Sequence, residues 1–125
     1  MFNNDYFTEA ELSCPCCDKN HFNDETLRRL IQVRRRYGNP MFINSGYRCP
    51  SHNARLNATM THTTGQAVDV SVAVSGAHKL MKIALAEGFT GIGVKQKGPI
   101  RRRFLHLDDL DSIPGERVRP TVWSY

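Results

Sequence analysis

The chain has 125 residues, of which 40% are hydrophobic and 23% charged, and its formal net charge is +5. That length suits a single domain, expected over residues 1–125, with enough material to bury its own core. No apolar run approaches the ~20 residues that a membrane-spanning helix needs, so membrane insertion is not expected. The opening stretch, Met1-Phe2-Asn3-Asn4-Asp5, lacks the basic and apolar regions of a secretory signal peptide. Synthesis in the cytoplasm is therefore expected.

In chain order, Thr8-Glu9-Ala10-Glu11 has the capping-box pattern and predicts a short helical turn. Asn23 and Asp24 are good capping residues, and a helix is predicted from there to about Tyr37. Leu27, Leu30, Ile31 and Arg34 repeat at helical spacing, and Gly38-Asn39-Pro40 ends the run. Met41 to Asn44 reads as a short strand, and Pro50 can start a helical turn that reaches Leu56. Gln66 to Val72, rich in valine, reads as another strand. Ser75 is expected to cap a helix whose apolar face is Ala77, Leu80, Met81, Ala84 and Leu85, with Gly88 as its stop. Strands near Gly91–Lys95 and Phe104–Leu107 follow, separated by a turn at Lys97-Gly98-Pro99. The tail from Pro114 to Tyr125 reads as irregular, anchored by burial of Trp123. The predicted class is α+β, with helices packed on one small, mainly antiparallel sheet.

Within these elements, His62, Asp69 and His106 form a candidate zinc site. Two neutral imidazoles and a carboxylate suit zinc, and three protein ligands leave a position for water, which marks a catalytic site. Gly65 lets the chain turn sharply after His62, so Asp69 can point back to the same ion. Asp69 lies in an otherwise apolar strand, where an unpaired carboxylate would be costly to bury and a divalent cation removes that cost. His106 is flanked by Leu105 and Leu107 in the same way. If the two strands are neighbours, period-two alternation sends Asp69 and His106 to one face. Either histidine alone would read as a satisfied half-buried side chain; the combination points to a metal.

Cysteines are concentrated in Cys14-Pro15-Cys16-Cys17, with Cys49 apart. Cys14 and Cys17 have C-x-x-C spacing, and His21 or Cys49 could complete a second, structural zinc shell. A disulfide from Cys49 to the cluster, or reduced thiols, is the preferred reading, because a chain without a signal peptide usually keeps its thiols reduced. The arginine triplets 34–36 and 101–103 supply much of the positive charge. They read as a solvated face or as an attraction to a polyanion such as nucleic acid, anionic cell-wall polymer or lipid. The first triplet also has a local explanation, since cations late in a helix complement its macrodipole.

The ordered set Ser45-Gly46-Tyr47-Arg48-Cys49-Pro50-Ser51-His52-Asn53, His62-x-x-Gly65-x-Ala67-x-Asp69, Gly91-Ile92-Gly93 and His106-x-Asp108 resembles the zinc D-Ala-D-Ala carboxypeptidase family. That family includes bacterial cell-wall peptidases, phage endolysins and the zinc fold of hedgehog signalling domains. The resemblance runs from about Phe7 to Trp123 and is nearest to small phage- or prophage-encoded members. It implies a hedgehog/DD-peptidase-like fold and zinc on His62, Asp69 and His106. It also implies that Arg48 faces the substrate, where a planar guanidinium can bind a peptide's terminal carboxylate or a tetrahedral oxyanion. In several relatives an acid or histidine lies a few residues before the last zinc-binding histidine. Here that stretch reads Arg101-Arg102-Arg103-Phe104-Leu105 and holds no base. Asp108 is the nearest remaining carboxylate, expected either to shuttle a proton or to orient a ligand.

The expected function is that of a zinc peptidase, most like a D-Ala-D-Ala carboxypeptidase or endopeptidase. It would hydrolyse D-alanyl-type peptide bonds in peptidoglycan stem peptides or cross-links. It would act as a monomer on the cell wall, in phage lysis or wall remodelling, after release by a holin or delivery by a virion. A non-catalytic, zinc-containing wall-binding module is the alternative. A nucleic-acid partner is not expected, because aromatic residues are not interleaved with the basic runs.

Overall fold

The computed structural model describes residues 4–55 and 61–125. The predicted reach of a helix to Leu56, and the rest of the segment leading to His62, fall partly outside these residues. Helix α1 (Glu9–Leu12) opens the described chain, and its capping box forms in both directions between Thr8 and Glu11. Helix α2 (Asp24–Tyr37) starts at Asn23, whose side chain accepts from the Thr26 amide, and ends at Gly38 in the left-handed conformation. Strand β1 (Phe42–Ser45), helix α3 (Pro50–Arg55), strand β2 (Ala67–Ser71) and helix α4 (Val74–Ala86) follow. Strands β3 (Gly91–Lys95), β4 (Phe104–Asp108) and β5 (Thr121–Ser124) complete the order.

The five strands make one sheet in the order β1-β2-β4-β3-β5. Three pairings are antiparallel and β3 pairs with β5 in parallel. The α+β class with helices on a mainly antiparallel sheet is thus what the chain adopts. One sheet face carries Val68, Val70, Ile92, Leu105 and Leu107, which join Leu27, Leu30 and Val33 of α2 and Ala77, Leu80 and Ala84 of α4 in one buried core. Each leucine-sized side chain removed from water there contributes roughly 1.5–3 kcal/mol. Strand periodicity sends the alternate residues to the opposite face, where they can be polar.

Three expectations need correction. The tail is not irregular throughout, because Thr121–Ser124 forms β5 beside β3. Ser75 does not cap α4: the helix begins at Val74, the capping position is Ala73, and no side chain caps it. Leu85 is exposed, and the buried face of α4 is completed by Ile83 instead. At about 100° per residue, Ile83 lies on the same arc as Leu80 and Ala84, whereas Leu85 falls on the far side of Ala77.

Candidate metal centre

A single register row crosses the whole sheet through Ser45, Asp69, His106, Gly93 and Trp123. Asp69 and His106 are direct partners across β2 and β4, so their side chains emerge side by side on the face away from α2 and α4. His62 comes from a short 3-10 turn, Thr61–Thr64, just before β2. Gly65, at φ 75, then turns the chain into the strand, as its position predicts. A side chain there would clash with the backbone carbonyl of His21.

Three atoms converge. Asp69 Oδ1 lies 3.3 Å from His62 Nε2 and 3.1 Å from His106 Nδ1. Both rings are almost fully buried. Each ring's other nitrogen is already engaged: His62 Nδ1 is 2.8 Å from the Gly46 carbonyl, and His106 Nε2 is 2.7 Å from Asp108 Oδ2. A carbonyl and a carboxylate can only accept, so those nitrogens carry the protons. The lone pairs of the neutral rings therefore point inward at the Asp69 carboxylate. Three acceptors so close repel one another unless a cation or an extra proton sits among them. The donor set and this convergence fit a zinc ion, held by His62 Nε2, Asp69 Oδ1 and His106 Nδ1.

The shifts of the ionisable groups describe the second case, an extra proton shared among the three. Burial alone would raise the Asp69 carboxyl, yet hydrogen bonds from His106 and His62 hold it well below the usual carboxylate range. Burial alone would lower His106, but Asp108 and Asp69 on either side push it above the ordinary histidine value. Asp108 is wholly buried. Burial acts to raise it, and His106 together with Arg119 brings it down to about 2.

Arg119 grips Asp108 with two bonds, from Nε to Oδ1 at 2.9 Å and from Nη2 to Oδ2 at 2.7 Å. The Leu110 amide also reaches Oδ1, at 3.3 Å. Both oxygens of Asp108 are thus occupied on the side of His106 away from Asp69. Of the two roles considered for this residue, the arrangement accommodates orientation of a ligand. Glycines make the room: a side chain at Gly91 would come within 2.5 Å of both Asp108 and Arg119, and one at Gly93 within 2.7 Å of the Trp123 indole nitrogen. Trp123 consequently lies against His106, ring centroids 5.0 Å apart.

Arg48 is buried beside the cluster. Its Nε donates to Ser45 Oγ at 3.1 Å and its Nη1 to Asn53 Oδ1 at 3.3 Å, while Nη2 lies 3.8 Å from Asp69 Oδ2. Burial lowers its guanidinium from the ordinary value, against the pull of Asp69. Ser45 and Asn53 fix the plane of the fork. The structure therefore brings together all five predicted residues: His62, Asp69 and His106 at the centre, Arg48 on one flank and Asp108 behind His106.

Sequence reasoning gave no site role to Arg119, Trp123, Asn53 or Cys16. Arg119 precedes a strand that was itself unrecognised, so nothing marked it. Cys14, Cys16, Cys17 and Cys49 form a second group whose sulfurs all lie within 4.8 Å of one another. His21 is not part of it and instead stacks on Tyr47 at 5.1 Å. Of the two alternatives for the cysteines, the disulfide from Cys49 is not formed: all four remain thiols outside any disulfide.

No helix among the described residues is long and apolar enough to cross a membrane. Among curated proteins, no relative matches the chain. Residues 5–108, which include both ligand-bearing strands and all five predicted site residues, match the Peptidase M15 family. With that match spanning most of its length, and with a histidine–aspartate–histidine centre suited to zinc, the chain belongs to the Peptidase M15 family of metallopeptidases.

Proposed function

We propose that this metallopeptidase hydrolyses D-alanyl-type peptide bonds in peptidoglycan stem peptides or cross-links. The observation that carries the reading is the immobilised Arg48 fork beside a three-donor centre on the sheet face opposite α2 and α4. A guanidinium so held suits a planar carboxylate at a peptide's end, or the oxyanion formed during cleavage.

A bound zinc supplies Lewis-acid polarisation of a carbonyl and a more acidic water. The chain's own residues do the rest. His62 and His106 offer neutral lone pairs because Gly46 and Asp108 hold their outward protons. Asp108 acts as a positioning residue, kept ionised and in place by Arg119. Trp123 walls the side of the site next to His106 and limits solvent there. The net charge of +5 favours approach to an anionic wall, in keeping with phage lysis or wall remodelling after release by a holin or delivery by a virion.

Zinc-loaded protein incubated with purified peptidoglycan should release peptide fragments or D-alanine. Chelation and His106→Ala should both abolish the release. Intact peptidoglycan after incubation with fully loaded wild type would reject the reading.

A further inference from the structure

We propose that Cys14, Cys16, Cys17 and Cys49 form a second, closed zinc site of four thiolates that clamps the N-terminal segment to the loop carrying Arg48.

Geometry is the first support. Cys14 Sγ lies 3.4 Å from Cys16 Sγ and 3.5 Å from Cys49 Sγ, and Cys16 lies 3.2 Å from Cys49. Cys17 joins them, every sulfur within 4.8 Å of the rest. At a zinc–sulfur bond of about 2.3 Å, the edge of a tetrahedral four-sulfur shell is about 3.8 Å, inside that limit. The near-equal separations single out no pair for a disulfide. A four-sulfur tetrahedral set favours zinc among ions that carry no redox chemistry, and a fourth protein ligand leaves no position for water. The site is therefore structural, unlike the centre at Asp69.

The backbone is shaped for it. The Asp18 amide bonds back to the Cys14 carbonyl at 2.9 Å and the Cys14 amide to the Lys19 carbonyl at 2.8 Å, folding residues 14–19 into a tight knuckle. Asp18 accepts a φ of 57 to close it. The backbone amides of Cys49 and Cys16 are directed at the buried Cys14 sulfur. Amides aimed at a buried sulfur favour the thiolate, the form that binds metal.

Placement gives the clamp its consequence. Cys49 follows Arg48 directly, and the Asn53 amide bonds to the Cys49 carbonyl at 3.0 Å. Asn53 in turn holds Arg48. The Tyr47 amide bonds to Leu12 at the end of α1, so the two segments also meet beside the cluster. A metal at the sulfurs would tie residues 14–17 to this loop across 35 positions of chain and so keep the guanidinium in place. Only that last step rests on the role proposed for Arg48; the metal site itself does not.

The test is metal analysis of the whole protein with cobalt spectroscopy. Wild type should contain two zinc ions per chain, Asp69→Ala one, and Cys16→Ser one. Cobalt-substituted Asp69→Ala should keep the thiolate-to-metal charge-transfer absorption, and this readout stands even if Cys16→Ser fails to fold. One zinc in wild type that is lost in Asp69→Ala would overturn the proposal. So would loaded wild type whose four thiols react at once with a thiol reagent, or whose mass is lowered by disulfides. An inactive protein holding two zinc ions would reject the peptidase reading and leave this one intact.

Discussion

Asp69 and His106 face each other across the middle of a sheet, whereas the four cysteines come together from two loops outside any strand or helix. The first group is positioned by strand register and uses three donors; the second is positioned by a knuckle and a loop and uses four. Each suits a different task. A rigid sheet can hold an open site in a fixed geometry without help from the ion. A closed sulfur site can supply order to segments that lack it, because its binding energy is folding energy.

That contrast can be broken at several points. The largest effect is expected for Asp69→Ala, which should bring hydrolysis to background, remove one metal, and leave the cysteine site loaded. Loss of both metals would show that the two groups are not independent. Next is Arg48→Lys, which keeps the charge but not the fork. It should lower kcat by about 10²–10³-fold, the usual loss of an oxyanion donor, with metal content unchanged. An unaltered kcat would remove Arg48 from the chemistry.

Arg119→Met should weaken metal affinity at the sheet site by about 10–100-fold while leaving the cysteine site unaffected, as measured by competition with a chelator. Equal weakening of both sites would point to general destabilisation. Acid should also act on the sheet site. The Asp108 carboxyl sits near 2 in the folded chain, below its ordinary value of about 3.9. Its stabilisation is fully present above about pH 4 and is lost as pH falls towards 2, on the order of 2 kcal/mol. Thermal melts of metal-free protein between pH 5 and 2 should show that loss, reduced in Arg119→Met. The smallest effect belongs to Arg101→Ser with Arg102→Ser, both exposed. Stability should change by less than about 0.5 kcal/mol, with only wall binding at low salt reduced.

How much of this was legible in the sequence follows from the same contrast. Asp69 and His106 stood out because a polar residue in an apolar strand needs a reason, and alternation put both on one face. The capping residues Thr8 and Asn23 and the stop at Gly38 marked α1 and α2 for similarly local causes. The C-x-x-C spacing drew attention to Cys14 and Cys17 and away from Cys16, since the convergence of loops leaves no periodic trace. Strand β5 was hidden because it pairs in parallel with a strand far back in the chain and follows a stretch rich in proline and arginine. Arg119 was hidden with it. Local patterns are written in the residues themselves, while long-range pairings depend on a register that only the folded chain displays.

Trp123 is the chain's single tryptophan, and its ring lies 5.0 Å from that of His106. Its emission therefore answers to the charge on the adjoining imidazole, which changes when an ion replaces a proton there. Filling of the sheet site can be followed by intrinsic fluorescence, with no dye and no substrate.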